Sequence, residues 1–465
     1  MLPCNATNVE FLKERIMFKT SKEIKKIVVL AFATALFFSG CSVESKGSDS
    51  EPESVSDTDD SKTGEEDSEK NESEKSIKLG DLPVGFASVS VQGGKGTTVT
   101  SRAELLSAVS KGGLIYVKGT IDMSDGCLPG EAGGSTAALD SFVAEKSKGQ
   151  FSDYADFKEK YAASCSSSTD DKSSSKPQSS LGLEMWNLNK KYGEQIKIKI
   201  KSNTTIIGLE DAVIKGGTIQ ISGVSNVIIR NLKIQDGYDP FPHHEKDDGF
   251  NAQWDNVAIL DSAENIWIDH CTFEDTMKYS KVETSSGEEK WQTYDGLCDI
   301  TKGAKNVVVS YCVFKNHDKT MLIGSSSSDL SGGNITIHHN RFLNCGQRLP
   351  MTCYPNMHIF NNSYERDSDA FYSQQASIAA RYGAYTIIAE NNYFGSGVKK
   401  CITASTNAAG KCYESGNKYV SGSCSLSTQD EKPFEISYAY NMDDASKIKN
   451  IVYETAGAGC TLVED

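Results

Sequence analysis

The sequence predicts an all-β fold, and more specifically a parallel β-helix, a solenoid in which the chain winds through successive coils of strands. Three observations favour this fold. A nine-residue pattern recurs six times between residues 226 and 394, its copies are unequally spaced, and asparagine occupies the same position in three successive copies. Recurring strands separated by variable polar loops are typical of solenoids. A Greek-key sandwich would also contain many short strands, but it gives no reason for asparagine at one phase of successive repeats.

Each copy of the pattern shows the alternation of a strand with one buried face. Its second and fourth positions are apolar, and its last position is apolar or aromatic. The copies are NVIIRNLKI at 226, NIWIDHCTF at 265, NVVVSYCVF at 306, NITIHHNRF at 334, NMHIFNNSY at 356 and TIIAENNYF at 386. Equivalent residues of neighbouring coils lie about 4.8 Å apart. Asn340, Asn362 and Asn392, at the seventh position, should therefore form a hydrogen-bonded amide ladder at a turn.

The regions before the repeats predict earlier coils, a capping helix and an insertion. Residues 112–121 and 197–223 have the strand pattern of further coils. A short helix should begin at Ser101, with Glu104 three residues later, and it would cap the open end of the solenoid. Residues 122–188 combine helical apolar spacing with a serine-rich run. We interpret them as a partly helical insertion in a β-helix domain that spans residues 77–465.

The N-terminal region predicts export. Residues 19–26 are basic, residues 27–38 are apolar, and Ser39, Gly40 and Cys41 follow, so residues 1–41 resemble a lipoprotein-type signal whose true start is Met17 or Met1. The apolar run is too short for a comfortable membrane-spanning helix. Lipid on Cys41 would anchor the chain, and the acidic, serine-rich residues 42–76 would form a disordered linker. A plain secretory signal cut nearby is the alternative. Either reading predicts an exported protein, on the cell surface or outer membrane of a bacterium or secreted.

Bulk charge and cysteine content limit the classes of function. The formal net charge is −15, so no global attraction to nucleic acid or to an anionic membrane is expected. Thirteen cysteines are present, and eleven remain without Cys4 and Cys41. Export permits disulfides, and Cys127 with Cys165 and Cys401 with Cys412 are plausible local pairs, although the connectivity does not follow from spacing. No cysteine or histidine cluster has zinc spacing.

Carboxylates precede two neighbouring strands of the predicted solenoid. The segment YDGLCDI places Asp295 and Asp299 four residues apart, and Asp255 begins the preceding coil in FNAQWDNVAIL. Three carboxylates from adjacent coils would make a hard-oxygen site suited to Ca²⁺. A single Asp at a strand end more often caps a turn. Nearby, His243 and His244 resemble a metal cluster, but adjacent side chains point apart in an extended chain, so a polar surface loop is favoured there.

Several motifs resemble those of pectate lyases of polysaccharide lyase family 1, in the same order and spacing. They are SNTTIIG, NVIIRNL, WIDHCTF, DGLCDI, NHDKTMLIGSS and QRLP, and the resemblance covers roughly residues 83–420, most weakly in the insertion. It implies a right-handed, single-stranded parallel β-helix and Ca²⁺-dependent cleavage of polygalacturonate by β-elimination. Carried over residue by residue, it implies Asp255, Asp295 and Asp299 as calcium ligands. It implies Arg348 as the catalytic base and Lys319 as a ligand of the substrate carboxylate.

The chain departs from the family pattern at two places. One extra residue between Asp255 and the WIDH segment makes Asn256 a competing calcium ligand. Family members commonly carry a second arginine five residues after the first, and here that position is Cys353. A substrate contact is therefore missing or is supplied elsewhere, with Arg381 as the candidate.

Two other functions remain as alternatives. A hydrolase of the same coil type would need paired acidic residues for general acid and base catalysis, and no such set accompanies the basic residues. A surface-anchored, non-catalytic polysaccharide-binding or adhesion protein is the stronger alternative because of Cys353. The expected partners are polygalacturonate and, through a lipid anchor only, the membrane. We expect a monomer without nucleic-acid binding.

Overall fold

The computed structural model describes residues 75–129, 135–166, 176–177, 179–245, 248–326, 329 and 333–463. The predicted signal, Cys41 and all but the last two residues of the predicted linker lie outside these residues. Within the described part, no helix has both the length and the apolar composition needed to cross a membrane.

One parallel sheet collects a single short strand from every coil, and its strand order is the order of the chain. Such an order means that each coil adds its strand beside that of the coil before. We call this sheet the nine-stranded sheet. Its strands are Lys197–Lys199, Thr218–Ser222, Val257–Leu260, Cys298–Ile300, Leu322–Ile323, Met351–Thr352, Ile378–Ala380, Lys400–Ala404 and Ser423–Cys424.

The remaining strands of the coils form a seventeen-stranded sheet, in which neighbouring strands again pair in parallel. Together the two sheets confirm the predicted parallel β-helix. The strands of this sheet are Thr97–Val99, Gly113–Asp122, Thr204–Lys215, Ser225–Arg230, Lys233–Gln235, Glu264–Asp269, Thr272–Glu274, Lys305–Ser310, Val313–Lys315, Asn334–His338, Arg341–Leu343, Asn356–Phe360, Ser363–Glu365, Gly383–Glu390, Tyr393–Phe394, Ala408–Ser415 and Lys418–Tyr419.

Each nine-residue repeat contains two strands, not the single strand that its alternation suggested. The chain bends at the sixth position, where the residue adopts a left-handed backbone with φ between 46° and 55°. Asparagine tolerates this conformation well among non-glycine residues. Asparagine does occupy the bend in three repeats, while histidine or tyrosine occupies it in the others. The six bend residues are Asn231, His270, Tyr311, His339, Asn361 and Asn391.

Side chains from equivalent positions stack inside the coil. The apolar second and fourth positions of the repeats are buried in one continuous core. Rings at the ninth position lie face to face, with centroids 4.6 to 5.1 Å apart from Phe273 through Phe314, Phe342, Tyr364 and Phe394 to Tyr419. This spacing matches the distance between neighbouring strands, so the repeat sets the packing of the core.

The predicted asparagine ladder is present and is longer than the repeats indicated. Asn340 Nδ2 donates to Asn362 Oδ1 at 2.9 Å, and Asn362 Nδ2 donates to Asn392 Oδ1 at 3.0 Å. The ladder continues to Asn417, whose Oδ1 accepts from Asn392 Nδ2 at 3.0 Å. At the other end, Asn340 Oδ1 accepts from the backbone N–H of Cys312 at 2.8 Å. Each amide therefore satisfies buried polar groups of the coil beside it.

Replacing Asn362 by alanine should lower the free energy of unfolding by roughly 3 kcal/mol, because buried donors and acceptors on both sides would lose their partners. Urea unfolding followed by circular dichroism would measure this change. Asn187→Ala is the matched control, since this exposed amide donates to Glu184 Oε2 at 3.4 Å and its removal should alter stability by no more than about 0.5 kcal/mol. Equal effects of the two substitutions would contradict a structural role for the ladder.

Five helices accompany the coils in the part of the chain that the structure describes. The first, α1 (Arg102–Val109), begins as predicted: Ser101 Oγ accepts from Glu104 N–H, and α1 buries three residues in the core at the start of the solenoid. A lobe contains α2 (Ala137–Lys146), α3 (Tyr154–Ser164) and α4 (Ser180–Ile196). The last helix is α5 (Ile448–Thr455), and two further strands, Ser76–Lys78 and Thr461–Val463, pair with each other.

The lobe packs on loops that lead into the nine-stranded sheet. Its aromatic side chains form one cluster with Phe241, Phe250 and Trp291. A four-stranded sheet completes it, with strands Ser280–Thr284, Gly287–Trp291, Gly249–Asn251 and His243–Glu245. The expectation of a polar surface loop at His243 and His244 is wrong, because both side chains are buried under the lobe and His244 Nε2 lies 2.8 Å from Glu289 Oε2.

The eleven cysteines of the described residues are all free thiols. Neither plausible pair forms: Cys127 contacts the Gln195 amide at 3.7 Å, and Cys412 lies on a different sheet from Cys401. Most of these thiols are buried in the coil or lobe, where they pack as small apolar groups.

Candidate active site

Three carboxylates meet where neighbouring strands of the nine-stranded sheet begin. Asp255 lies two residues before Val257–Leu260, whereas Asp295 and Asp299 flank the start of the next strand. Gly296 lies between the carboxylates, and its N–H donates to Asp255 Oδ1 at 2.8 Å. A Cβ at Gly296 would lie only 2.7 Å from Asp255 Oδ1 and 2.3 Å from Asp299 Oδ1. Glycine is thus required for these two carboxylates to approach each other.

Asn256, the competing ligand, is turned away from this cluster. Its Oδ1 accepts from Gly237 N–H at 2.7 Å, and its Nδ2 donates to the carbonyl of Ile234 at 3.2 Å. Both bonds join the side chain to the preceding coil. The geometry therefore brings Asp255, and not Asn256, together with Asp295 and Asp299.

The carboxylate cluster has an electrostatic cost. Burial, followed by the charges of Asp299 and Asp295, raises the pKa of Asp255 well above its usual range. Burial and the charge of Asp295 raise the pKa of Asp299 to about 7, against the lowering effect of Arg348. Crowded acidic groups of this kind favour either a proton or a cation between them. A hard divalent cation is the partner that oxygen ligands suit best.

Two cations lie on the next two coils, as the motifs predicted. Lys319 is three residues before Leu322–Ile323, and Arg348 is three residues before Met351–Thr352. Lys319 is buried, with its Nζ 3.4 Å from Asp295 Oδ1, and it also donates to the Oδ1 of Asn251. Asn251 belongs to the lobe. The lobe therefore helps to fix the position of the lysine.

Arg348 has an unusual backbone and an unoccupied donor. Its φ is 61°, in the left-handed region that non-glycine residues seldom adopt. Its guanidinium lies close enough to Asp255 and Asp299 to lower the pKa of both carboxyls. Its buried Nε has no hydrogen-bond partner in the part of the chain that the structure describes. Strained backbone held against carboxylates is a common feature of functional sites.

A buried ion pair behind Asp295 escaped the sequence analysis. His317 Nε2–H donates to the backbone carbonyl of Asp295 at 2.7 Å, and His317 Nδ1 lies 2.5 Å from Asp275 Oδ2. Burial lowers the pKa of His317, but the Asp275 charge and the two hydrogen bonds raise it above its ordinary value overall. The only signal in the sequence was that His317 lies two residues before Lys319. The pair holds the loop that carries Asp295.

If Asp295 binds Ca²⁺, as the family resemblance implies, replacing His317 by glutamine should raise the calcium concentration needed for half-maximal activity about tenfold or more, as loss of groups behind metal ligands commonly does. Glutamine can still donate to Asp295 but loses the ion pair with Asp275. Calcium titrations of wild type and variant would measure the change, and saturating calcium should restore most of the turnover. An unchanged calcium requirement would show that His317 does not position Asp295.

Arg381 lies apart from the other predicted site residues, at the far end of its strand. Thr352 pairs with Ala380, so Arg381 follows on the coil directly beside Cys353. The Arg381 guanidinium lies 4.4 Å over the ring of Tyr382 and donates to its hydroxyl at 2.7 Å. Cys353 is buried against Gly324 of the preceding coil. The structure thus places a guanidinium one coil away from the expected second arginine.

The carboxylates do not yet form a closed cage. Across the described residues, no group of three His, Cys, Asp or Glu side chains is arranged as a metal site. Asp295 lies beside Lys319, with its Oδ1 3.4 Å from Lys319 Nζ, and its side chain is 27% exposed. The donor set fits a hard cation by chemistry, and ligation would require Asp295 to turn toward the other two carboxylates.

The fold and the site define a parallel β-helix protein with a mixed cation–carboxylate site on one sheet. A family model described as pectate lyase matches residues 130–461. The chain belongs to the pectate lyase family, and its relatives identify it as a polysaccharide lyase.

Curated relatives support this assignment. The pectate lyase of Bacillus subtilis (strain 168) is 31% identical over 382 residues, which cover 78% of this chain and 86% of that protein. The pectate trisaccharide-lyase of Bacillus licheniformis is 31% identical over 266 residues, 57% of this chain and 70% of that protein. Pectate lyase E of Dickeya chrysanthemi is 41% identical over 176 residues, but the chain spans less than half of that relative, 46%.

Solved structures agree with the fold. A pectate lyase bound to a hexasaccharide has a TM-score of 0.62 and 29% identity, over 78% of this chain and 92% of that one. The pectate lyase of Acidovorax avenae subsp citrulli has a TM-score of 0.68 over 86% of this chain and 99% of that one. Its identity is 22%, so it supports the fold alone.

Proposed function

We propose that this chain cleaves α-1,4-polygalacturonate by Ca²⁺-dependent β-elimination and releases 4,5-unsaturated oligogalacturonides. The observation that carries the proposal is the alignment of Asp255, Asp295 and Asp299 with Lys319 and Arg348 at successive strand entrances. A uronate chain is an anion that needs cations at its carboxylates. The site offers two side-chain cations, Lys319 and Arg348, beside three carboxylates that could bind a metal cation.

Each residue has a role that follows from its position. Lys319 holds a substrate carboxylate, since a buried ammonium fixed by Asn251 offers a charge of defined direction. Arg348 accepts the proton from C5 as the C4=C5 double bond forms and the C4–O4 bond breaks. The leaving O4 oxygen takes a proton from solvent, and no water is added across the cleaved bond. Asp255, Asp295 and Asp299 would hold Ca²⁺. The bound Ca²⁺ would neutralise the substrate carboxylate and so favour loss of the C5 proton.

Proton abstraction by Arg348 has a consequence for pH dependence. A guanidinium is ordinarily protonated, and it can act as a base only where neighbouring cations disfavour its charge. Ca²⁺ bound to Asp255 and Asp299 would offset the negative charge that otherwise favours the guanidinium, and Lys319 would add a further positive charge. We expect the activity to rise toward alkaline pH.

Arg381 is proposed to replace the missing second arginine. It lies on the coil beside Cys353, and its ring contact with Tyr382 orients the guanidinium. A substrate carboxylate would bind there outside the scission site. Its removal should therefore weaken binding more than turnover.

The mass of the products separates this proposal from the alternatives. Elimination adds no water, so the fragments of an oligogalacturonate should together have the mass of the parent. A hydrolase would add one water for each bond cut. A binding or adhesion protein would leave the oligomer intact, and either of these outcomes would refute the proposed lyase.

Export and anchoring are part of the proposal. Cys41 would carry lipid and would hold the catalytic domain at a bacterial surface through the acidic linker of residues 42–76. Cys41→Ser should move the protein from the detergent phase to the aqueous phase on phase separation. Unchanged partitioning of the variant would contradict lipidation at Cys41.

A further inference from the structure

Three aromatic side chains, of which Phe371 is the exposed one, cluster with two lysines beside the candidate active site. Phe371 is 45% exposed, and its ring centroid lies 5.4 Å from that of Tyr279 and 4.9 Å from that of Tyr372. The ammonium of Lys278 lies 4.7 Å over the Phe371 ring, and that of Lys290 lies 5.9 Å from the Tyr279 ring. We call Lys278, Tyr279, Lys290, Phe371 and Tyr372 the aromatic-lysine patch.

The aromatic-lysine patch adjoins the loops that carry the proposed catalytic cations. Tyr279 and Tyr372 line a small cavity together with His317 and Asp318. A Cβ at Gly346 would lie 3.2 Å from the Tyr372 Cβ. Asp318 is the residue before Lys319, and Gly346 lies two residues before Arg348. The patch therefore continues the same surface as the candidate site.

The two lysines of the patch keep their charge available. Neither Lys278 nor Lys290 forms an ion pair with any residue that the structure describes. Neighbouring lysines differ, since Lys281 pairs with Glu288 at 2.5 Å and Lys315 with Glu274 at 2.5 Å. Both patch lysines are exposed.

We propose that the aromatic-lysine patch binds a uronate residue of the polygalacturonate chain outside the scission site. The C–H face of a pyranose ring would pack on the exposed face of Phe371, and its carboxylate would face Lys278 or Lys290. Apolar stacking surfaces joined to a few directed charges are typical of ligand sites. Because the patch adjoins the Lys319 loop, one polymer can occupy both sites. The inference rests on the proposed function for the identity of the polymer.

The dependence of KM on the length of the oligogalacturonate substrate tests this inference. Phe371→Ala should raise KM for hexagalacturonate and for polygalacturonate about fivefold to tenfold, the range expected for loss of one aromatic contact near a cation. Its kcat, and its KM for trigalacturonate, should remain at wild-type values. Lys278→Gln should have the same pattern and a weaker salt dependence than wild type. An unchanged KM for the long substrates, or an equal rise for trimer and hexamer, would overturn the inference.

Tyr453→Ala is the matched control. Tyr453 is an aromatic residue of α5, 66% exposed, with the Arg341 guanidinium 5.1 Å over its ring. Like Phe371, Tyr453 has an exposed aromatic ring with a cation beside it. Unlike Phe371, it lies on a helix and outside the loops of the nine-stranded sheet. Its removal should leave every KM unchanged. A rise in KM for this variant equal to that of Phe371→Ala would refute a specific role for the patch.

A binding measurement without catalysis separates this inference from the proposed function. In calcium-free gels that contain polygalacturonate, wild type should be retarded more than Phe371→Ala, and Tyr453→Ala should migrate as wild type does. This comparison decides the inference even if wild type forms no unsaturated product. Equal migration of wild type and Phe371→Ala would overturn it. If a neutral galactan retarded wild type as much as polygalacturonate does, the assignment of the bound sugar as a uronate would be overturned.

Discussion

Replacing Arg348 by lysine should lower turnover of polygalacturonate by at least about 100-fold and leave binding nearly unchanged. Lysine keeps the positive charge, so attraction of the polyanion survives, but it lacks the planar guanidinium and has a shorter reach. Proton abstraction requires the base within hydrogen-bond distance of C5, and a misplacement of about 1 Å can cost on the order of 100-fold. Turnover is measured from product formation, and binding from gel retardation.

Lys319→Ala is the comparison that separates the two cations. Lys319 is proposed to hold a substrate carboxylate in both the ground state and the transition state, so its loss should weaken binding as well as turnover. Its removal also frees Asn251 and Asp295, which it contacts. If Arg348→Lys retained wild-type turnover, Arg348 could not be the base, and both cations would be substrate ligands only.

Replacing Asp299 by asparagine should lower activity at modest calcium by at least about 100-fold, since the loss of a direct ligand should exceed the 10–100-fold cost seen for groups behind ligands. Asparagine keeps an oxygen that can accept from Leu322 N–H, as Asp299 Oδ1 does at 2.9 Å. The fold should therefore survive the change. Asp299→Ala should show the same loss of activity. It would also lose the hydrogen bond from Leu322 N–H.

Asp211→Asn is the control for removing a carboxylate. Its side chain is 91% exposed and lies 3.5 Å from Lys233, away from the site. Calcium titrations of the three proteins should show a shift for Asp299→Asn alone. Full activity of Asp299→Asn in the presence of a chelator would refute the calcium assignment.

The solenoid could be predicted because its packing repeats in the sequence. The buried second and fourth positions and the ladder residues Asn340, Asn362 and Asn392 each contact their equivalents one coil away. The bend within each repeat was missed, although the buried positions change there from the second and fourth to the seventh and ninth. Asn231, Asn361 and Asn391 could have indicated a left-handed residue there, but Tyr311, whose residue type seldom adopts this conformation, occupies the same position in another repeat.

The sequence predicted only those parts of the candidate site whose positions follow from the order of the coils. Asp255, Asp295 and Asp299 precede adjacent strands, so their proximity follows from the solenoid. The groups that support them come from distant loops: Asp275 is 42 residues from His317, and Asn251 is 68 residues from Lys319. The lobe sets the Asn251 contact through packing of its helices on Phe241 and Phe250, whereas Asp275 follows the coil strand Thr272–Glu274. No local spacing in the sequence encodes such an arrangement.

One measurement tests Ca²⁺-dependent β-elimination most directly. Ultraviolet absorbance is followed during digestion of polygalacturonate while calcium is removed and then restored in the same reaction. A 4,5-unsaturated uronide absorbs in the ultraviolet, whereas intact polymer and hydrolysis products lack that double bond. The account predicts that absorbance rises with Ca²⁺, stops rising on addition of a chelator and rises again when Ca²⁺ is added in excess. New reducing ends without that absorbance, or no cleavage in the presence of Ca²⁺, would contradict it.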